Sequence, residues 1–124
     1  MSSEVREKNG VLGDAWKKRQ SETCEQKLRR MCKRIAEEIS AGNPDGKDSK
    51  TASAWMEGTY DIRYHVDREK RYLAAELLVA GGGPTIWVDL WDKEVKGYWG
   101  SDRVTVPFSD NLGLDDYCEE MYGY

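Results

Sequence analysis

Three cysteines and one histidine are the side chains best suited to nucleophilic or metal chemistry in this chain of 124 residues. Structural zinc wants four converging ligands, usually in closely spaced pairs. Cys24, Cys32 and Cys118 contain no C-x-x-C, and their odd number argues against a disulfide framework. A thiol nucleophile needs a base within hydrogen-bond reach. His65 is expected to point to solvent from a strand, whereas the cysteines are expected to point inward from helices. They read as small core residues with reduced thiols. No catalytic residue, metal or cofactor is therefore expected.

Other polar clusters give the same answer. Gly81-Gly82-Gly83-Pro84 has the flexibility of a phosphate cradle. It lacks the Lys-Ser/Thr of a P-loop, and a strand rather than a helix should follow. The loop reads as a tight connection that needs positive φ. Asp89, Asp92 and Glu94 bring two or three oxygens to a hairpin, enough for weak cation contact but equally typical of a solvated turn. Lys27, Arg29, Arg30, Lys33 and Arg34 give one helix a basic flank. That flank suits phosphate contact, or simply solvent, with Lys33–Glu37 and Arg34–Glu38 pairs four residues apart.

The elements that position these groups follow from periodicity. Thr23 and Gln26 form a capping box. Cys24, Leu28, Met31 or Cys32, Ile35 and Ile39 form an apolar stripe, and Gly42 with Asn43-Pro44 stops the helix, placing it over 23–41. Residues 43–53 read as a polar loop and 52–57 as a short helical turn carrying Trp55. Tyr60, Ile62, Tyr64 and Val66 alternate with polar residues, as in a half-buried strand. Leu73, Ala75, Leu77 and Val79 form a second inward row opposite Tyr72 and Glu76. Thr85–Trp91 is a third strand, and Asp92-Lys93 turns into a fourth, Val95–Trp99. Val104 and Val106 extend that strand past an irregularity at Gly100-Ser101. Leu114, Cys118 and Met121 make the stripe of a short acidic helix, whose first-turn carboxylates suit the helix dipole.

The predicted fold class is α+β: an antiparallel three- to four-stranded meander with an N-terminal helix and a short C-terminal acidic helix. Residues 1–20 read as a mobile arm, with Val11, Leu12 and Trp16 as one anchor, and residues 21–124 as a single domain. The first ten residues contain no apolar signal-peptide segment, and no run is long enough to span a membrane. A cytoplasmic location is expected.

Charge is uneven. Residues 1–50 hold 12 Lys/Arg and 9 Asp/Glu, and the remainder 7 and 14. From Asp102 onward there are six acidic residues and one basic. Phosphate binding needs clustered cations, so nucleic acid is the less favoured partner. Trp87 and Trp91 should share the sheet face opposite Ile86 and Val88, and Tyr98 the face opposite Trp99. Two readings stand side by side. Either the rings are exposed beside carboxylates, as on a protein-binding surface, or a second layer such as the arm with Trp16 covers them.

The segment Gly82-Gly83-Pro84-Thr85-Ile86-Trp87-Val88-Asp89, followed by Val95-Lys96-Gly97-Tyr98-Trp99-Gly100, resembles small proteins of phages and mobile elements of gut bacteria. They carry a "GGP-x-[IV]-x-[IV]-[DN]" segment, a "GYWG" and an acidic C-terminal helix, and the likeness covers roughly residues 52–122. It implies no chemistry. In size, charge and layout the chain also resembles small anti-CRISPR inhibitors, acidic domains that occupy the DNA-binding groove of a nuclease. The expectation is a non-enzymatic binding protein whose partner is a host protein with a basic surface, such as a nuclease. Tyr98 or Trp99 would be the anchor, and Asp102, Asp110, Asp115, Asp116, Glu119 and Glu120 the charge. The rival is a nucleic-acid-binding accessory protein that uses the basic helix and the sheet aromatics.

Overall fold

The computed structural model describes residues 22–46 and 50–123. The arm assigned to residues 1–20 lies outside them. Helix α1 (Cys24–Ala41) starts at the capping box: Gln26 N–H donates to Thr23 Oγ1 at 3.1 Å, and Thr23 N–H donates to Gln26 Oε1 at 2.9 Å. Leu28, Cys32, Ala36 and Ile39 are its buried residues. Cys24, expected on this stripe, is exposed in the first turn, because the helix first meets the sheet at Leu28. The expected Lys33–Glu37 and Arg34–Glu38 pairs do not form among the described residues. Arg30 instead reaches back to Glu22 at 3.1 Å.

Gly42 ends α1 at φ 69°. A Cβ there would also lie 2.8 Å from the Asn111 carbonyl oxygen, so both backbone angle and space demand glycine. The same junction is tied by Ser109 N–H to Ser40 Oγ at 3.0 Å and by Asn111 Nδ2 to the Ser40 carbonyl at 2.6 Å. A short helix α2 (Ala52–Met56) follows, capped by the Thr51 hydroxyl.

The sheet is an antiparallel meander of five strands in chain order: β1 (Asp61–Val66), β2 (Tyr72–Ala80), β3 (Thr85–Asp89), β4 (Glu94–Trp99) and β5 (Asp102–Pro107). Helix α3 (Leu114–Tyr122) closes the chain. The fold is thus α+β, with the predicted helices at both ends, but the sheet has five strands. Gly100-Ser101, read as an irregularity within one strand, is a two-residue hairpin: Trp99 pairs with Asp102, and Gly100 takes φ 62°.

The three helices of the described residues contribute to one apolar cluster on one face of the sheet. Leu28, Ile39, Met56 and Leu114 meet Leu77, Ile86, Val88 and Val95 there. At Gly97 an added Cβ would lie 2.6 Å from Cys32 Sγ and 2.8 Å from Leu28 Cδ1. The missing side chain lets α1 lie directly on β4. α3 covers β2, and Tyr64, Tyr72 and Tyr122 pack together with ring centroids 5.1–6.3 Å apart. Met121, expected on the buried stripe of α3, is 45% exposed. Among the described residues no helix is long and apolar enough to cross a membrane.

The register of β2 departs from simple alternation. His65 pairs with Ala74, but the next residue, Val66, pairs with Tyr72. This bulge reverses the phase at the start of β2. Tyr72 turns toward the core and its hydroxyl donates to Asp115 at 2.6 Å, while Leu73 turns outward. The expected inward row keeps Ala75, Leu77 and Val79 but loses Leu73.

Candidate functional site

Cross-strand partners share a face, so the register defines the surface opposite the helices. One row runs Arg63, Glu76, Asp89, Glu94 and Pro107, and the next Asp61, Leu78, Trp87, Lys96 and Thr105. Thr85, Tyr98 and Arg103 lie beyond. Trp87 and Tyr98 therefore take the face predicted for them, and Trp99 takes the other. Arg63 Cζ stands 4.5 Å from the Trp87 ring centroid, and Arg103 Cζ 6.0 Å from that of Tyr98. Such stacking costs the guanidinium little hydration and holds the indole in place.

Asp89 is the centre of this face and is buried. Its Oδ1 accepts the backbone N–H groups of Trp91 and Asp92 at 2.8 and 3.1 Å, shaping the β3–β4 turn. Its Oδ2 accepts Lys96 Nζ at 2.8 Å, and Lys96 also reaches Asp92 at 3.1 Å. Burial pushes the Asp89 carboxyl up, but the Lys96 ammonium and the two N–H donors outweigh it and hold the group below the usual carboxylate range. Hydrogen bonding to Asp89 and Asp92 pushes the Lys96 ammonium up. Of the three carboxylates that sequence offered to a cation, Asp89 and Asp92 are thus already paired with a lysine. Among the described residues no group of three or more His, Cys, Asp or Glu is set to hold a metal ion.

Beside Asp89 the face becomes apolar. Val66, Leu73 and Trp91 are 40%, 44% and 59% exposed. With His65, Glu76 and Asp89 they line an open hollow of about 400 Å³. His65 Nε2 lies 2.7 Å from Glu76 Oε2. Glu76 Oε1 has no hydrogen-bond partner among the described residues. Sequence reasoning placed Trp91 on this side but put Leu73 inside, because a bulge leaves no mark in apolar periodicity. His65, expected at the wet face, is there, and its partner Glu76 was recognised only as an outward residue.

No family model, curated protein or solved structure matches this chain.

The residues expected to form one acidic binding surface are divided. Tyr98 is exposed on the open face. Trp99 is half-buried against the core cluster, with Lys27 Nζ 5.7 Å from its ring centroid. Asp102 pairs with Trp99 at the hairpin. Asp110 accepts the N–H groups of Leu114 and Asp115 at 2.8 and 2.9 Å and so caps α3. Asp115 accepts the Tyr72 hydroxyl, and burial together with that bond pushes the Tyr72 phenol up. Asp116, Glu119 and Glu120 are exposed around a shallow hollow with Ala52, Gly113 and Tyr117. The helix carrying them packs on the core face, so they and Tyr98 stand on opposite sides of the sheet.

Two thiols are buried and chemically quiet. Burial pushes Cys32 up to about 11, partly countered by Arg29. Burial, then Asp115 and Asp110, push Cys118 up to about 12. An open groove of about 900 Å³ separates α1 from α2. Ile35, Trp55, Val79 and Leu112 supply its half-buried apolar lining, with exposed Arg34, Glu38 and Lys50 as its charged groups.

Proposed function

We propose that this chain is a non-enzymatic protein-binding module whose contact surface is the open face of the sheet, anchored by Trp91, Leu73 and Val66. The observation that carries this reading is the exposed apolar trio lining one hollow with Glu76 and Asp89, whose row lies on the face opposite the described helices. An exposed indole on a turn fixed by hydrogen bonds to Asp89 is the type of group that dominates binding energy at interfaces. By register this face carries Asp61, Glu76, Asp89 and Glu94 against Arg63, Lys96 and Arg103, and the β3–β4 turn beside it adds Asp92 and Lys93. That balance favours a cationic protein and works against a phosphate backbone.

Together with the sequence resemblance, this supports a partner among the nucleic-acid-handling proteins of a bacterial host, and a mobile-element protein that inhibits it by occupying its cationic groove. Asp116, Glu119 and Glu120 would then steer the encounter from a separate surface and add salt dependence to the on-rate.

Affinity capture with the tagged full chain from a bacterial lysate, with and without nuclease, tests the reading. The expected result is a specific protein that survives nuclease treatment, elutes with salt and is lost with the Leu73→Ser/Trp91→Ala pair. Recovery only of nucleic acid, abolished by neutralising Arg30 and Arg34, would overturn it in favour of a nucleic-acid-binding protein working through α1.

A further inference from the structure

The open face carries a hollow with apolar walls and a carboxylate, Glu76, paired through one of its two oxygens. We infer that the hollow formed by His65, Val66, Leu73, Glu76, Asp89 and Trp91 receives an arginine side chain of the protein partner. This rests on the open face being the contact surface and names the group it recognises.

The charges around the hollow select the occupant. Lys96 is held by both Asp89 and Asp92. Arg63 shares a row with Glu76, but its guanidinium lies over Trp87. Neither cation is free to neutralise Glu76. Among the described residues Glu76 is met by His65, at one oxygen, which leaves Oε1 for an incoming donor. Asp89 adds negative potential from behind, although its own oxygens are taken. The site therefore attracts a cation and repels a phosphate or carboxylate.

The walls select the kind of cation. Leu73 and Val66 offer an aliphatic surface for a methylene stem, which long cationic side chains bury while their charged heads remain hydrated. The exposed Trp91 indole offers a flat π face, on which a guanidinium stacks better than an ammonium. A planar guanidinium can lie on Trp91 and still donate to Glu76 in its own plane. A compact ammonium gains only the Coulomb part. The same chain already uses this pairing between Arg63 and Trp87.

The probe is N-acetyl-Gly-Arg-Gly-amide, titrated into the full-length chain and followed by two-dimensional NMR at the Trp91 indole N–H. Matched peptides carry lysine or the neutral isostere citrulline. The expected result is a saturable shift of Trp91 and of backbone signals near Leu73 and Glu76, at millimolar peptide. Citrulline should bind at least about tenfold more weakly, and Glu76→Gln should weaken the arginine peptide by a similar factor. Glu76→Gln is close to isosteric, and unchanged chemical-shift dispersion elsewhere would show that it still folds. Equal binding of the arginine and citrulline peptides, or of arginine and lysine, would overturn the assignment. So would shifts that appear on concentrating the protein alone, which would make a second copy of the chain the occupant. If partner capture depends on Trp91 and Leu73 but is unaffected by Glu76→Gln, the open face stands as the contact surface and the arginine pocket falls.

Discussion

On the helix-covered face of the sheet, Gly97 brings Cys32 and Leu28 so near that even a methyl group would collide with them. On the opposite face, one residue away along the same strand, Lys96 sits between Asp89 and Asp92 at 2.8 and 3.1 Å. The first face is organised by close packing, which is strong only where water is absent. The second is organised by charge, hydrogen bonds and stacked guanidinium groups, whose geometry holds while water reaches the rims. A surface of the second kind can meet a partner without first unfolding anything. Stability therefore rests on one side of these strands, and the proposed recognition would use the other.

Two leucines of β2 give the sharpest way to break that comparison. Leu77 is fully buried, whereas Leu73 is turned outward by the bulge. Leu77→Ala should cost about 2–5 kcal/mol in urea unfolding, from lost transfer energy and the cavity left behind. Leu73→Ala should stay within about 0.5 kcal/mol of the parent. Equal losses would mean that something covers the open face in solution.

A smaller effect is expected at Asp89, where the two modes of organisation meet. Asp89→Asn keeps the shape but removes the charge that holds Lys96, and should cost about 1–3 kcal/mol. The pH dependence has a definite sign. The folded-state carboxyl is held below its ordinary value, so its contribution is fully present above the ordinary carboxylate range and is lost as pH falls through the folded value. Stability measured on descending pH should therefore drop in the acid limb, and the drop should be shallower in Asp89→Asn. Parallel curves for the two proteins would remove Asp89 from the account.

Much of the helix-covered face could be read in advance. The capping box at Thr23, the stripe through Leu28, Cys32 and Ile39, and the alternation of Ile86 and Val88 are local patterns, and local patterns report burial toward one side. The open face was less legible because its key relations are not local. Asp89 and Lys96 are joined across a turn, His65 and Glu76 across two strands, and Arg63 reaches Trp87 over an intervening strand. The bulge at Val66 shifts the register by one residue, and period-2 reasoning carried Leu73 straight through it. The fifth strand was hidden for a different reason: Gly100-Ser101 is a hairpin signal, but Val104 and Val106 continue an alternation that looks uninterrupted. In the acidic tail, spacing does not show that two of the carboxylates have partners within the fold. Asp110 is a helix cap and Asp115 a phenol acceptor.

That phenol gives a test at the edge between α3 and the sheet. Tyr72→Phe removes the donor to Asp115 without changing the ring contacts with Tyr64 and Tyr122, and should cost about 1 kcal/mol. The loss should disappear when Asp115 is already asparagine or alanine, as a double-mutant cycle would measure. Independent, additive losses would mean that the two groups do not act as a pair.

The smallest expected change in stability is at Trp91. The indole is more than half exposed and closes no part of the core, so Trp91→Ala should alter unfolding by no more than about 0.5 kcal/mol. Its backbone N–H still donates to Asp89 in the variant, which preserves the turn. If the open face is the contact surface as proposed, the consequence of so large an indole on the β3–β4 turn lies in what it touches outside the chain. Partner capture should fall by at least about tenfold with Trp91→Ala, while Asp116→Lys on α3 changes mainly the salt dependence and the on-rate. The opposite pattern, with capture lost on charge reversal in α3 and retained without Trp91, would transfer recognition to the helix-covered side. The contrast between the two faces would then hold for stability alone.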